Sequence, residues 1–286
     1  MAWSPATAPV RAMAAHAAML LGTEAVSASL CHGGDLSRVI TIGLARGGSA
    51  IAKTGPAPRI EAAMLRAIAA AGAPAPAVLA VDDQLLVLEC LADTGRPEDA
   101  WGALGRALAT LHACQGDGYG WPDDYAFGPL AIVNQISRAG HPASSDPDWP
   151  GFWATCRLAV HLPALDLTLG RRIERLIAGL HDRLPAHPPA ALLHGDLWGG
   201  NILVADRRVT GLIDPACYHG AAEVDIAMLG LFNTPTSAFF EAYGPPAPGH
   251  DQRLAIYRLW PALVHLRLFG AGYRPMVAGL LDRLGV

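Results

Sequence analysis

The sequence predicts an α+β protein with two lobes: a small antiparallel sheet with one crossing helix over residues 1–91, and a larger, mainly helical part over residues 92–286. Three observations carry this. The first lobe holds short apolar runs punctuated by glycine, the pattern of strands and tight turns. The stretch "LADTGRPEDA" then breaks that pattern with polar, Gly and Pro residues. From Pro97 onward, apolar residues recur mostly at helical spacing.

Taken in order, the Ala-rich opening "MAWSPATAPVRAMAAHAAMLLGTEA" reads as an amphipathic helix. His16 interrupts its apolar stretch, which argues against an export signal. Strands are expected at Val26 to Cys31 and Ser37 to Leu44, on either side of the Gly-rich turn "CHGGDLS". A third strand, Ser49 to Thr54, follows the pair Gly47-Gly48. Pro58 precedes "RIEAAMLRAIAAAG", a helical pattern in which Gly72 suits the left-handed position just past a helix end. Strands at Ala77 to Val81 and Leu85 to Glu89 complete the sheet.

The second lobe opens with the helical "PEDAWGALGRALATLHAC" and closes with "DQRLAIYRLWPALVHLRLFG" and "PMVAGLLDRLG". Pro261 is expected to kink or interrupt the penultimate helix, because it donates no backbone hydrogen bond. Between these lie a Pro- and Trp-rich stretch, 119–153, long helical runs, and a short non-helical island from Ala191 to Asp214.

Composition excludes several roles. A net charge of −4 leaves no basic surplus for displacing counterions from nucleic acid. The longest runs free of Asp, Glu, Lys and Arg, 67–81 and 226–240, are broken by Gly or Pro and fall short of the ~20 residues that span a bilayer. Five scattered cysteines, with no Cys-x-x-Cys spacing, suit a reducing cytoplasm. Oligomeric state is not legible.

One residue stands out against the composition. Lys53, in "SAIAKTGP", is the only lysine of a chain that uses arginine everywhere else. GC-rich coding bias explains the scarcity of lysine but not this placement, at the end of an alternating apolar run where an inward-facing ammonium needs a partner.

The island carries the densest chemistry. "LLHGDLWGGNILVADRRVTGLIDPA" reads as a strand entering a tight loop, His194 to Asn201, followed by strand, turn, strand and Asp214. Asp196 and Asn201 are five apart on one loop, the spacing used where an Asp accepts a hydroxyl proton and the Asn holds a divalent ion. Asp214 can bind the same metal. Hard oxygen ligands in so small a number suit Mg²⁺, which completes its shell with water and phosphate oxygens.

These motifs resemble the protein-kinase-like small-molecule kinases, whose His-Gly-Asp-x-x-x-x-Asn loop is shared by aminoglycoside and choline phosphotransferases. Within them the chain most resembles the fructosamine kinase, or ketosamine 3-kinase, family. That narrower likeness rests on "HGDLWGGN", "IDPACYHGAAEVDIAMLGLF", "GYGWPDDYAFG" and "YRLWPALVHLRLFGAGY", in the family's order and over nearly the whole chain.

The resemblance implies a bilobal protein-kinase-like fold and an ATP- and Mg²⁺-dependent transfer to the 3-hydroxyl of a ketosamine. Asp196 would be the catalytic base, and Asn201 and Asp214 the metal ligands. Lys53 would hold the nucleotide's α/β-phosphates, oriented by Glu61, although Glu61 also reads plainly as a solvated helix carboxylate. Gly33 and Gly34 would cover the phosphates, and the Glu89 carbonyl and Leu91 amide would meet adenine. His194 and Asp225 would brace the loop. Trp198 would wall the acceptor site, with Asn134, Trp260, His265 and Asp117 as further candidates. Glu223 would offer hydrogen bonds to sugar hydroxyls or serve as a helix N-terminal carboxylate.

Two departures qualify the likeness. Asp35 stands where some members carry a cysteine, which puts a thiol switch in doubt. The family's Tyr-Tyr-Gly-His-Arg-Glu-Ala-Asp becomes Tyr218 to Asp225 without the His-Arg pair, which puts the substrate range in doubt. An aminoglycoside or other small-alcohol phosphotransferase and a silent nucleotide-binding pseudokinase are the rival readings.

Overall fold

The computed structural model describes residues 7–31, 37–135 and 148–286. Its first lobe is a five-stranded antiparallel sheet in the order β1-β2-β3-β5-β4, formed by β1 (Ala25–Leu30), β2 (Val39–Leu44), β3 (Ser49–Lys53), β4 (Val78–Val81) and β5 (Leu86–Glu89). Helix α1 (Ala8–Leu20) covers one face with Val10, Met13, Ala14 and Ala17, packed on Ile40, Ile42, Ala50 and Ala52. Helix α2 (Pro58–Ala70) covers the other, where Ala62 and Leu65 meet Leu86 and Leu88.

The small residues in these layers let helix and sheet approach closely. Helix α2 begins at Pro58, where a missing N–H costs nothing. It ends in a Schellman motif: Gly72, at φ +84°, donates to Ala69 O, and Ala73 donates to Ile68 O.

Alternation along β3 decides where the lysine goes. Ala50 and Ala52 point to α1, whereas Ile51 packs with the α2 cluster. Lys53, two residues beyond Ile51, shares that face.

The second lobe is mainly helical. Its helices are α3 (Trp101–Ala113), α4 (Trp149–Trp153), α5 (Leu167–Ala178), α6 (Glu223–Phe232), α7 (Ser237–Tyr243), α8 (His250–Phe269) and α9 (Arg274–Arg283). They enclose one large core with buried Trp149, Phe152, Trp153, Tyr218, Phe239 and Tyr257. Gly105 brings α3 against α7, since a Cβ there would stand 2.5 Å from Phe239 O.

Among the described residues, three two-stranded sheets complete this lobe. A hairpin of β6 (Tyr125–Phe127) and β7 (Leu130–Ile132) lies inside the Pro- and Trp-rich stretch. Strand β8 (Ala191–Leu193) pairs with β11 (Tyr218–Gly220), and β9 (Ile202–Ala205) with β10 (Arg208–Leu212). The β9–β10 turn needs left-handed backbone at both Asp206 and Arg207.

The lobes are tied by backbone as well as side chains. The Leu212 N–H of the second lobe donates to Pro74 O of the first at 2.9 Å, and the segment just after the boundary is held by Thr94 and Gly95, which both donate to Val204 O at 2.8 Å, and by Thr210 Oγ1, which donates to Ala92 O at 2.7 Å. This is a bilobal α+β, protein-kinase-like architecture. Pro261 does not interrupt its helix: α8 runs from His250 to Phe269 with Pro261 inside it. Proline removes a single N–H, and buried neighbours from Leu254 to Val264 hold the helix on both sides of it.

Candidate active site

Lys53 is the meeting point of the two lobes. Its Nζ donates to Glu61 Oε1 at 2.8 Å and to Asp214 Oδ1 at 2.7 Å. Glu61 lies on the buried stripe of α2 with Met64, Leu65 and Ile68, so it is not a solvated carboxylate. Its second oxygen accepts from Tyr125 Oη at 3.2 Å. Burial works against the Lys53 charge, but Glu61 and Asp214 outweigh it and raise the ammonium's pKa. Lys53 is therefore a fixed cation.

The loop after β8 is held from below. Asp225, fully buried in the first turn of α6, accepts from the backbone N–H of His194 at 2.7 Å and of Gly195 at 2.9 Å. His112 from α3 stands 3.1 Å from the same carboxylate. Burial opposes the Asp225 charge, yet His112 and these N–H groups hold its carboxyl below the usual range.

His194 is buried too, and burial lowers its pKa. Its Nε2 donates to Ile213 O at 2.9 Å, because a carbonyl only accepts, and Nδ1 accepts from the Asp196 amide at 3.3 Å. That neutral tautomer ties the loop to the strand leading to Asp214 and leaves no free nitrogen for proton transfer. Gly195, at φ +80°, is required: a Cβ would stand 2.0 Å from Ala216 O.

Above this brace, Asn201 Nδ2 donates to Asp196 O at 2.8 Å and to Asp196 Oδ2 at 3.1 Å. Burial raises the Asp196 carboxyl to about 7; the Asn201 bond opposes this and nearby Asp214 adds to it. Asp214 sits at φ +53°, a left-handed conformation that a short polar side chain tolerates.

Its Oδ2 and the Asn201 Oδ1 make no hydrogen bond to another described residue. Two hard oxygens on one cleft wall fit Mg²⁺, which takes few protein ligands and keeps water and phosphate for the rest. Among the described residues there is no cluster of three or more His, Cys, Asp or Glu that would cage a metal by itself.

Asp196, Asn201 and Asp214 open into a cleft of about 390 Å³, bordered by Trp198 and His265. Phe127, Met228, Phe232, Val264, Leu268, Phe269 and Tyr273, which the sequence reading did not single out, supply most of the remaining wall. They come from β6, from α6 and α8 and from the turn after α8, so their convergence is a tertiary fact. Tyr125 and His112, each reaching a carboxylate of the site from a distant element, were likewise missed.

Other candidates lie elsewhere. Glu223, expected either at the acceptor or as a helix N-terminal carboxylate, stands in the first turn of α6, bound by Arg253 through Nε at 2.6 Å and Nη2 at 2.7 Å, with His250 at 3.3 Å. That pairing consumes the carboxylate at the far end of α6 from Phe232. Asn134 is buried against Arg157, Trp260 packs on Phe127 and Tyr218, and Asp117 is on the surface.

Glu89 and Leu91 stand at and just beyond the end of β5 and do not line the cleft. The Glu89 carboxylate accepts from the Ala77 amide at 3.2 Å. Gly33 and Gly34 lie outside the described residues. Among the described residues no helix is long and apolar enough to cross a membrane.

Known proteins resemble this chain over most of its length. The family model described as fructosamine kinase matches residues 53–285. A Thermus thermophilus protein that carries the name ketoamine kinase is 36% identical over 269 residues, 88% of this chain and 92% of its own length. A Synechocystis protein of the same name is 33% identical over 211 residues, 69% of this chain and 66% of its own length. A solved structure assigned as a fructosamine-3-kinase from Thermobifida fusca has a TM-score of 0.84 at 30% identity, covering 96% of this chain and 98% of its own.

Proposed function

The chain belongs to the fructosamine kinase family, and from that premise we propose that it transfers the γ-phosphoryl group of ATP to the 3-hydroxyl of a ketosamine, a sugar rearranged onto an amine. The family implies ATP as phosphoryl donor and, as a rule, Mg²⁺. The observation that carries the reading is the lysine that bridges Glu61 and Asp214 beside Asp196 and Asn201 in one cleft.

In this mechanism Asp196 accepts the proton of the acceptor hydroxyl as its oxygen attacks the γ-phosphorus. The bond from that phosphorus to the β-γ bridging oxygen breaks, and ADP leaves. A carboxylate poised near neutrality is a competent base at physiological pH. Lys53 keeps Glu61 and exchanges Asp214 for α/β-phosphate oxygens. Asn201 Oδ1 and the Asp214 carboxylate would hold Mg²⁺, which neutralises charge on the phosphates. Gly33 and Gly34 would close over them, and the backbone at Glu89 and Leu91 would receive adenine. Trp198 would wall the sugar. Ketosamine 3-phosphates are labile, so the biological consequence would be deglycation.

A cationic aminoglycoside acceptor would need carboxylates along the cleft, whose lining offers, among the described residues, Asp196 and Asp214. The test is a coupled ADP-release assay with Mg²⁺-ATP and a fructosamine, a ribulosamine, an aminoglycoside and choline. Turnover confined to the ketosamines supports the proposal; turnover of the aminoglycoside or choline alone overturns it.

A further inference from the structure

The mouth of the cleft is bordered by a group of aromatic rings of which the sugar wall proposed above uses only Trp198. Trp198, Phe232 and Phe269 are 43%, 37% and 45% exposed, and they are the aromatic members of the set of exposed large apolar side chains among the described residues. All three border this one cleft. Leaving such rings in water is unfavourable by roughly 25 cal/mol per Å² of apolar surface, so their convergence marks a surface kept for a ligand.

The rings form a connected series. Trp198 meets Phe232 edge-on at 6.5 Å, and His265 stands 5.0 Å from Phe232, 5.4 Å from Phe269 and 5.0 Å from Tyr273. Gly200 makes room for the first member, since a Cβ there would stand 2.3 Å from the Trp198 ring. His265 Nδ1 donates to Pro261 O at 2.8 Å, which fixes its tautomer and leaves Nε2 as an acceptor. Burial lowers its pKa, so the imidazole stays neutral. Among the described residues the cleft lining contains no Lys, Arg or Glu, and its carboxylates are those of Asp196 and Asp214.

We propose that this mouth is the subsite for the substituent on the acceptor's amine, and that it selects a neutral apolar substituent, most favourably an aromatic ring. The inference rests on the ketosamine reading and narrows it to small-molecule ketosamines of apolar amines. Aromatic faces and edges supply the contact, in offset or edge-on geometry. A substituent ending in a second ammonium would be desolvated there without a carboxylate partner.

The test compares kcat/KM for three ketosamines of the same sugar, made from phenethylamine, methylamine and ethylenediamine, with a glycated protein alongside. The phenethyl compound is expected to exceed the methyl one by about tenfold or more, with the ethylenediamine compound lowest. Phe269→Ala and Trp198→Ala should each move the phenethyl-to-methyl ratio towards one. Equal turnover of all three overturns the subsite and leaves the ketosamine reading intact. Preference for the glycated protein, or a ratio unmoved by both substitutions, also overturns it. Turnover of no ketosamine at all overturns both.

Discussion

Lys53 and Asp214 are 161 positions apart in sequence and 2.7 Å apart in space, and their contact joins the sheet of the first lobe to the hairpin of the second. Lys53 is 6% exposed, so the ammonium is held in position before any substrate arrives. The proposed mechanism needs that preorganisation, because phosphoryl transfer asks the protein mainly for placement and charge.

Removing the ammonium should expose what it offsets. Lys53→Met leaves the buried Glu61 carboxylate without its cation and should cost about 3–5 kcal/mol of stability. Adding Glu61→Gln should recover much of that loss, since Tyr125 remains as a partner, but not nucleotide binding. Thermal melts and calorimetric titration with Mg²⁺-ATP check both halves. A double variant no more stable than Lys53→Met would contradict the pairing.

Asp196→Asn should reduce transfer about 10²–10⁴-fold, the usual contribution of a positioned base. It should also stabilise the nucleotide-free protein at alkaline pH. The folded-state pKa is raised from 3.8 to about 7, so the folded form binds the proton more tightly than the unfolded one. That stabilisation is complete below about pH 4 and lost as pH rises through 7. The variant's melting temperature should therefore exceed wild type at pH 8 and converge with it as pH falls towards 4.

Gly195→Ala should damage the loop although it adds one methyl group. The backbone is left-handed there, and the new Cβ would meet Ala216 O at 2.0 Å. A loss of about 1–3 kcal/mol is expected from the conformation alone, together with a lower kcat as Asp196 shifts. Chemical denaturation and steady-state kinetics on one preparation test this.

Glu223→Gln separates structure from substrate binding. Its carboxylate is committed to Arg253, so the change should lower stability by about 1 kcal/mol and leave the acceptor KM at the wild-type value. A several-fold rise in KM at unchanged stability would return Glu223 to the acceptor site.

Much of this was legible in the sequence because it is local. The strand before Lys53, the Gly72 cap and the His194–Asn201 loop are written in neighbouring residues, and the paired carboxylate and amide of that loop sit at a fixed spacing. Even the ambiguity at Glu61 had a local answer, since positions 61, 64, 65 and 68 form one helical stripe, otherwise apolar, and the stripe is buried.

What escaped is long-range. Glu223 finds Arg253 thirty positions on, and His112 reaches Asp225 from another helix. The three-residue strands β6 and β7 are too short to show a period. The aromatic mouth draws on the loop after β8 and on the ends of α6 and α8, segments with no shared sequence pattern. That α8 continues through Pro261 was not legible for a related reason: the buried residues on both sides of it pack in a core drawn from elements distant in the chain.

The most direct test of the central claim is the position of the new phosphate. Wild-type protein would be incubated with Mg²⁺-ATP and a ribulosamine or fructosamine, and the product's ³¹P–¹H correlations recorded. The expected product is a single phosphomonoester coupled to the proton on C3, formed about 10²-fold or more slowly by Asp196→Asn. A phosphate on another hydroxyl, or the same product at undiminished rate from Asp196→Asn, would contradict it.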